Sequence, residues 1–341
     1  MSPRPPRTFL RAALTLSMLT CGLYGCDEDS RADDYAEPSD ESAEFRPNWG
    51  CPMWRCGMNA ATIFGLDVTE LSNNGEPNAS QISIEAFRDS EHTLHDLHLE
   101  NDEFVAYTAQ QVRLSGEQLI GFEIVLENES DLRIRIMDTG FEDSWAVGAA
   151  PVRTYALAYY DGQDNSYKNV CFENADSPDA TVATIITGER YDLENTLVAP
   201  EASGWFTIAC AGSALAKLKL MNYSPNANFD GEGNPSTPQQ RQAGLRMLTA
   251  DYCGDGTSFT VDGTPLLWQN QSATVEYNSS WLAEGEDSEL EAVWDDKGAV
   301  CLNTPRLFDR AEIMEACPLP ECTGEEVGEW TTWSITALEE G

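Results

Sequence analysis

The sequence predicts an α+β protein, with an N-terminal antiparallel β-rich domain followed by a disulfide-stapled α+β domain. Three observations carry this reading. Short alternating apolar and polar runs, punctuated by Gly, Asn and Asp, fill residues 48–170. Signals for capped helices occur only beyond residue 171. Ten cysteines are present, and eight of them fall within these two regions. Alternation buries one face of a strand, and turns every ten or so residues bring successive strands back antiparallel.

The first 26 residues stand apart from this pattern. Arg4, Arg7 and Arg11 form a cationic start, and Ala12 to Thr20 is apolar or small. That run is too short to span a bilayer and suits the core of a signal peptide. It ends in Leu23-Tyr24-Gly25-Cys26, which resembles the bacterial lipobox. The expectation is a lipoprotein signal peptide over 1–25, with Cys26 lipidated. Residues 26–47 are acidic, Ser-rich and nearly free of aliphatics, so they form a disordered acidic tether.

The β-rich domain is expected over 48–170. Its candidate strands are 81–85, 103–107, 121–126, 132–136 and 154–160, with turns at Asn73-Asn74-Gly75, Gly140 and Asp161-Gly162. An α+β domain follows over 171–341. Thr237-Pro238-Gln239-Gln240 supplies a cap, a first-position proline and a capping-box glutamine for a helix reaching about Ala250. It should bury Ala243, Met247 and Ala250. A mostly apolar helix is expected over Gly212 to Met221, and Asp309 caps a third helix reaching Ala316. Strands are expected at 204–209, 258–261 and 290–301, and the Asn-, Gly- and Pro-rich loop from Asn222 to Ser236 should be exposed.

The eight cysteines are Cys51, Cys56, Cys171, Cys210, Cys253, Cys301, Cys317 and Cys322. An even number in an exported chain implies disulfides, and eight cysteines allow 105 pairings. Cys51/Cys56 and Cys317/Cys322 share a C-P-x-x-x-C form and can close locally. Nearest-neighbour pairing adds Cys171–Cys210 and Cys253–Cys301. A zinc site built from the two close pairs is disfavoured, because an oxidising compartment consumes the thiolates that zinc needs.

Ala250-Asp251-Tyr252-Cys253-Gly254-Asp255-Gly256 resembles the signature of the ADYC-domain family, a group of exported bacterial proteins. Phe206-Thr207-Ile208-Ala209-Cys210 leading into Ala214-Leu215-Ala216-Lys217 supports it, as do Trp294 with Gly298-Ala299-Val300-Cys301, and Cys56-Gly57-Met58-Asn59. The resemblance implies a domain and brings no catalytic residue. It also implies cysteines at two positions where this chain has Leu218 and Gly244. Read from its residues alone, the signature is a stapled helix-to-strand corner. Cys253 ends the helix, Gly254 or Gly256 takes the left-handed turn, and Asp251 and Asp255 cap turn amides. Tyr252 packs over the bridge and bonds backbone through its hydroxyl.

The chain carries 20 basic and 58 acidic residues, a net charge of −38. Loss of the three signal arginines leaves 17 basic residues and a net −41. Phosphate backbones and anionic headgroups are therefore poor partners, and membrane contact is expected through the lipid anchor only. The three histidines, His92, His95 and His98, share one segment. Neither strand nor helix spacing converges them on one metal, so a solvated or structural role is expected. Asp161-Gly162-Gln163-Asp164-Asn165 and Asp230-Gly231-Glu232-Gly233-Asn234 begin like EF-hand loops but lack the later ligands. No nucleotide, metalloprotease or nucleophile-elbow motif is present. The expectation is an exported, lipid-anchored envelope protein with a binding or structural role. It has no cofactor, metal or catalytic residue, and its partner is not specified by the sequence. The alternative is a hydrolase acting on polysaccharide or another extracellular polymer.

Overall fold

The computed structural model describes residues 60–127, 132–171, 181–200, 202–261, 263–276, 282 and 286–337. All lie within one compact unit, residues 50–341. The signal, Cys26, the tether, Cys51 and Cys56 fall outside the described residues.

The chain begins with a small hairpin of β1 (Thr62–Ile63) and β2 (Leu66–Asp67), then β3 (Glu70–Ser72) and β4 (Ser83–Arg88). A second group follows: β5 (Leu94–His95), β6 (His98–Glu100), β7 (Glu103–Tyr107) and β8 (Arg113–Ser115). Next come β9 (Glu123–Glu127), β10 (Arg133–Glu142), β11 (Val152–Asp161), β12 (Ser166–Asn169) and β13 (Ala183–Thr187). The hairpin β14 (Glu189–Asp192) and β15 (Leu197–Pro200) leads into β16 (Trp205–Cys210). Two helices follow, α1 (Ala214–Leu220) and α2 (Pro238–Thr249), then β17 (Leu266–Asn270), β18 (Glu286–Asp295) and β19 (Gly298–Leu302). Helix α3 (Arg310–Ala316) and β20 (Trp330–Ala337) close the described chain. Strand pairing is antiparallel throughout the named sheets, as the alternating runs predict.

The main sheet runs β3-β16-β13-β11-β10-β9-β4-β5, with β12 added on β11. Two of its inner strands, β13 and β16, are buried on both faces. Every residue of β13 and of β16 is buried, and successive residues serve different cores. Ile185, Phe206 and Ile208 pack on the side holding Phe104, Ile124, Ile134 and Tyr155. Ile186 and Ala209 pack on the side holding α1, α2 and the aromatic residues Tyr223, Trp294 and Trp330. The two-residue pleat of a strand makes this possible. It also corrects the boundary expected at residue 170. Strands from both sides of that point share one sheet, with β11 and β3 of the first half flanking β13 and β16 of the second.

Helix α2 starts as predicted. Thr237 Oγ1 accepts from Gln240 N, the Gln240 side chain returns to Thr237 N, and Pro238 occupies the first turn. Ala243, Met247 and Ala250 are buried, but so are Arg241, Gln242 and Arg246, because α2 packs against both β15 and β18. Helix α1 is capped by Ser213, whose side chain accepts from Ala216 N. At Gly244 an added Cβ would lie 2.5 Å from Leu218 Cδ2, so the two positions singled out by the family resemblance meet where α1 crosses α2. Asp309 precedes α3, yet its side chain makes no capping bond.

Three further expectations change. Residues 258–261 form a loop rather than a strand, with Ser258 Oγ donating to Thr249 O and Phe259 N to Ala250 O. Residues 290–301 turn back as the hairpin β18–β19, where Asp295 Oδ1 accepts from Lys297 N. The 222–236 loop is only partly exposed, because Tyr223, Ser224 and Ser236 are buried.

The cysteine pairing also differs in part. Cys171–Cys210 forms as expected. Cys253 bonds Cys317 instead of Cys301, and Cys301 bonds Cys322 instead of leaving Cys317–Cys322 to close locally. The reason is topological. Tyr252 O accepts from Ala299 N, so the corner after α2 lies against β19, while α3 carries Cys317 to the corner and the segment after α3 runs beside β19, where Leu302 N donates to Pro320 O.

Candidate functional site

The signature corner gathers several buried polar groups. Helix α2 ends at Thr249, and Ala250 itself takes the left-handed conformation, with φ +52°, earlier than the Cys253 terminus expected. Asp251 is fully buried, accepting from Asp255 N (3.1 Å), Gly256 N (3.2 Å) and the Thr196 hydroxyl. Tyr252 stacks on Trp294, with ring centroids 5.0 Å apart. Its hydroxyl donates to the Glu291 carboxylate rather than to backbone. Arg306 completes the group, donating from Nε and Nη2 to Glu291 at 2.7 and 2.9 Å. Burial raises the Tyr252 hydroxyl well above its ordinary range, with the Glu291 charge acting in the same direction. Gly254 is required by space: with φ +70°, an added Cβ would lie 1.7 Å from Lys297 O. Asp251 and Tyr252 are thus engaged inside the protein, whereas Asp255 is exposed and caps Thr257 N.

The histidines separate. His95 Nε2 lies 3.1 Å from Asp89 Oδ2 and its ring packs on Phe122, whereas His98 packs edge-on against Tyr107. The two EF-hand-like loops are internally satisfied. Lys168 Nζ sits between Asp161 (3.2 Å) and Asp164 (2.6 Å), and Asp230 accepts from Glu232 N and Asn234 N. Among the described residues, one group could offer three clustered metal-type ligand atoms, Cys301, Cys322 and Glu326, but those cysteines are already bonded to each other. Of the described tryptophans, Trp205, Trp268, Trp294 and Trp330 are buried, and Trp145 stacks on Trp268.

What sequence reasoning missed is a cleft of about 610 Å³ between the 146–153 segment, the end of α1 and the 222–231 loop. Its lining is mixed, with exposed Val147 and Pro151 beside exposed Asn228 and Asp230, and it reaches the buried Asp102 at its floor. The floor is built on the β6–β7 hairpin. Glu100 pairs with Glu103, leaving a two-residue turn of Asn101 (φ +51°) and Asp102 (φ +62°). Two left-handed residues in succession are the hairpin turn that matches strand twist. A hairpin tip is ordinarily solvated, yet Asp102 is only 2% exposed. Its Oδ1 accepts from Thr187 N (2.9 Å), Thr187 Oγ1 (3.0 Å) and Asn226 Nδ2 (2.7 Å). Its Oδ2 accepts from Ser224 Oγ (2.9 Å) and touches Lys219 Nζ. Helix α1 delivers Lys219, and the loop after it delivers Ser224 and Asn226. Burial pulls the Lys219 amine down to about 7. The signals available in sequence were slight: an Asn-Asp pair between two alternating runs, and two of the chain's four lysines, Lys217 and Lys219, on an otherwise apolar helix.

The ADYC domain model matches residues 116–308, more than half of the chain. The chain belongs to the ADYC-domain family. The matched region of this ADYC protein starts after the hairpin that carries Asp102 and ends before α3, so it includes Lys219, Ser224 and the signature corner but not Asp102 or Cys317. It also spans residue 170, in keeping with the continuous main sheet. No curated protein and no solved structure matches the chain. Three disulfides imply an oxidising compartment outside the cytoplasm. Among the described residues no helix is long and apolar enough to cross a membrane.

Proposed function

We propose that this ADYC protein is an exported lipoprotein of the bacterial cell envelope, anchored through Cys26, that works by binding rather than by catalysis. The observation that carries the binding reading is the state of the cleft floor. Ser224 is fully buried with its hydroxyl given to Asp102, and Lys219 is turned onto the same carboxylate. The Ser224 hydroxyl is therefore not free to attack a bound molecule, while the mixed apolar and polar lining of the cleft suits a small ligand. The acidic tether at 26–47 would hold the folded unit away from the membrane surface.

The hydrolase reading rests on one contact, Lys219 Nζ at 3.3 Å from Ser224 Oγ. A lysine so placed can activate a serine. Incubating purified protein with cell-wall polysaccharide and with ester and peptide substrates separates the readings. We expect no product above that of Ser224→Ala, together with co-sedimentation of wild type with the polymer that Val147→Trp, which fills the cleft mouth, weakens. Turnover lost in Ser224→Ala would overturn the binding reading. Intact mass of membrane-extracted protein tests the anchor: the chain should begin at an acylated Cys26, and a soluble, unacylated product would refute it. One acyl chain gives only marginal membrane binding, so more than one is expected.

A further inference from the structure

The buried acid–base pairs of this chain are chemically unequal. Glu189 and Glu291 are paired with Arg241 and Arg306. A guanidinium keeps its proton and cannot attack carbon. Lys168 lies between two carboxylates, one of them on the exposed Asp164, and these hold it as an ammonium with a raised pKa. Lys219 differs in each respect. It contacts one carboxylate, itself buried, and loss of water draws its amine down to about 7. A substantial fraction of neutral amine makes lysine a nucleophile.

The carboxyl facing it is held as an acyl acceptor would be. Oδ1 lies among three donors, the backbone N–H and hydroxyl of Thr187 and the amide of Asn226. Such a cradle stabilises the negative charge that develops on a tetrahedral intermediate. Oδ2 lies against Lys219 Nζ and Ser224 Oγ, and Ser224 Oγ lies 3.3 Å from Nζ, in position to pass a proton between them. The cleft above gives released water an exit.

We propose that Lys219 and Asp102 condense into an intramolecular isopeptide bond. A proton passes from the Lys219 ammonium to Asp102 Oδ2, leaving an amine and a carboxylic acid. The nitrogen lone pair adds to Cγ, forming the Nζ–Cγ bond, and the carbonyl electron pair moves onto Oδ1. A proton on nitrogen then moves through Ser224 Oγ to Oδ2, the Cγ–Oδ2 bond breaks, and Oδ2 departs as water while the carbonyl re-forms. One amide and one water result, and no oxidant, metal or cofactor takes part. The bond joins the hairpin tip to the end of α1 across 117 residues of sequence. Unlike a disulfide, it survives reduction.

The test is mass spectrometry on the full chain after reduction, alkylation and denaturation. The wild type should weigh one water less than its processed, acylated and alkylated sequence, and proteolysis should yield a branched peptide containing both Asp102 and Lys219. Lys219→Arg and Asp102→Ala should each show full mass for their sequences. Wild type at full mass, or a water deficit with Asp102 and Lys219 recovered on separate linear peptides, would overturn the proposal. The wild-type measurement decides the matter even if a variant does not fold.

Discussion

The two cores that share the main sheet are held by different means. The side containing Phe104, Ile124, Ile134 and Tyr155 is built from aliphatic and aromatic side chains with one bridge, Cys171–Cys210. The side containing α1, α2 and the signature corner has carboxylates and guanidinium groups packed among its aromatic residues: Glu189 with Arg241, and Glu291 with Arg306 and Tyr252. Two disulfides close around that second side, Cys253–Cys317 and Cys301–Cys322. A core of apolar atoms tolerates small adjustments, whereas a buried charge has large consequences when its partner is lost. The second core should therefore be the more brittle.

The largest effect is expected at Glu291. Glu291→Ala leaves the Arg306 guanidinium and the Tyr252 hydroxyl buried without their partner, and should cost about 3–5 kcal/mol in denaturant unfolding. A loss below about 1 kcal/mol would show that water reaches the corner. Next, replacing both Cys253 and Cys317 by Ser opens a bridge across 64 residues and should cost about 4 kcal/mol, before native strain is counted. Local hydrogen exchange should rise around α3 and the corner first, with β9 and β10 little changed. If β9 and β10 exchange as fast, the two cores form one cooperative unit and the contrast fails.

The first core should give smaller values. Tyr155 Oη accepts from Phe104 N at 3.0 Å, and Tyr155→Phe leaves that buried N–H unpaired at about 1–3 kcal/mol. A thermal scan would register it as a modest drop in Tm. The smallest effect expected is at Glu326, whose carboxylate accepts from Thr323 N, Thr323 Oγ1 and Gly324 N. These bonds hold it down from 4.5 to about 2. A depressed carboxylate stabilises the fold above its ordinary pKa and loses that contribution as pH falls through the folded value. Wild type should thus exceed Glu326→Gln slightly in Tm at pH 6, and the difference should shrink below about pH 4.5 and be lost below about pH 2. A difference that persists at that pH would mean the Glu326 contribution is not electrostatic.

The sequence disclosed the two sides unequally, for the same physical reason. Period-two runs such as Glu103–Tyr107 and the capping box of α2 are local, and both appear where expected. β20 escaped notice because its pattern is inverted. Thr332 and Ser334 face inward, with Thr332 Oγ1 accepting from Trp294 Nε1, while Trp333 is only partly covered. The bridges at Cys253 and Cys301 were mispaired because nearness in sequence says nothing about how α3 and the segment after it return to the corner. The ADYC signature was legible as a turn, but the carboxylate that receives Tyr252 lies 39 residues away. The cleft was least legible of all. Its Asp102 sits at a hairpin tip, where sequence predicts solvent, and its lysine and serine partners lie more than a hundred residues further on.

The central claim is that the ADYC signature builds a covalent and ionic corner between α2, β19 and α3, leaving the cleft elsewhere to meet a ligand. Non-reducing peptide mapping of the folded protein tests it most directly. Cys253 should be recovered linked to Cys317, Cys301 to Cys322 and Cys171 to Cys210. Recovery of Cys253 with Cys301, and of Cys317 with Cys322, would contradict the corner as described.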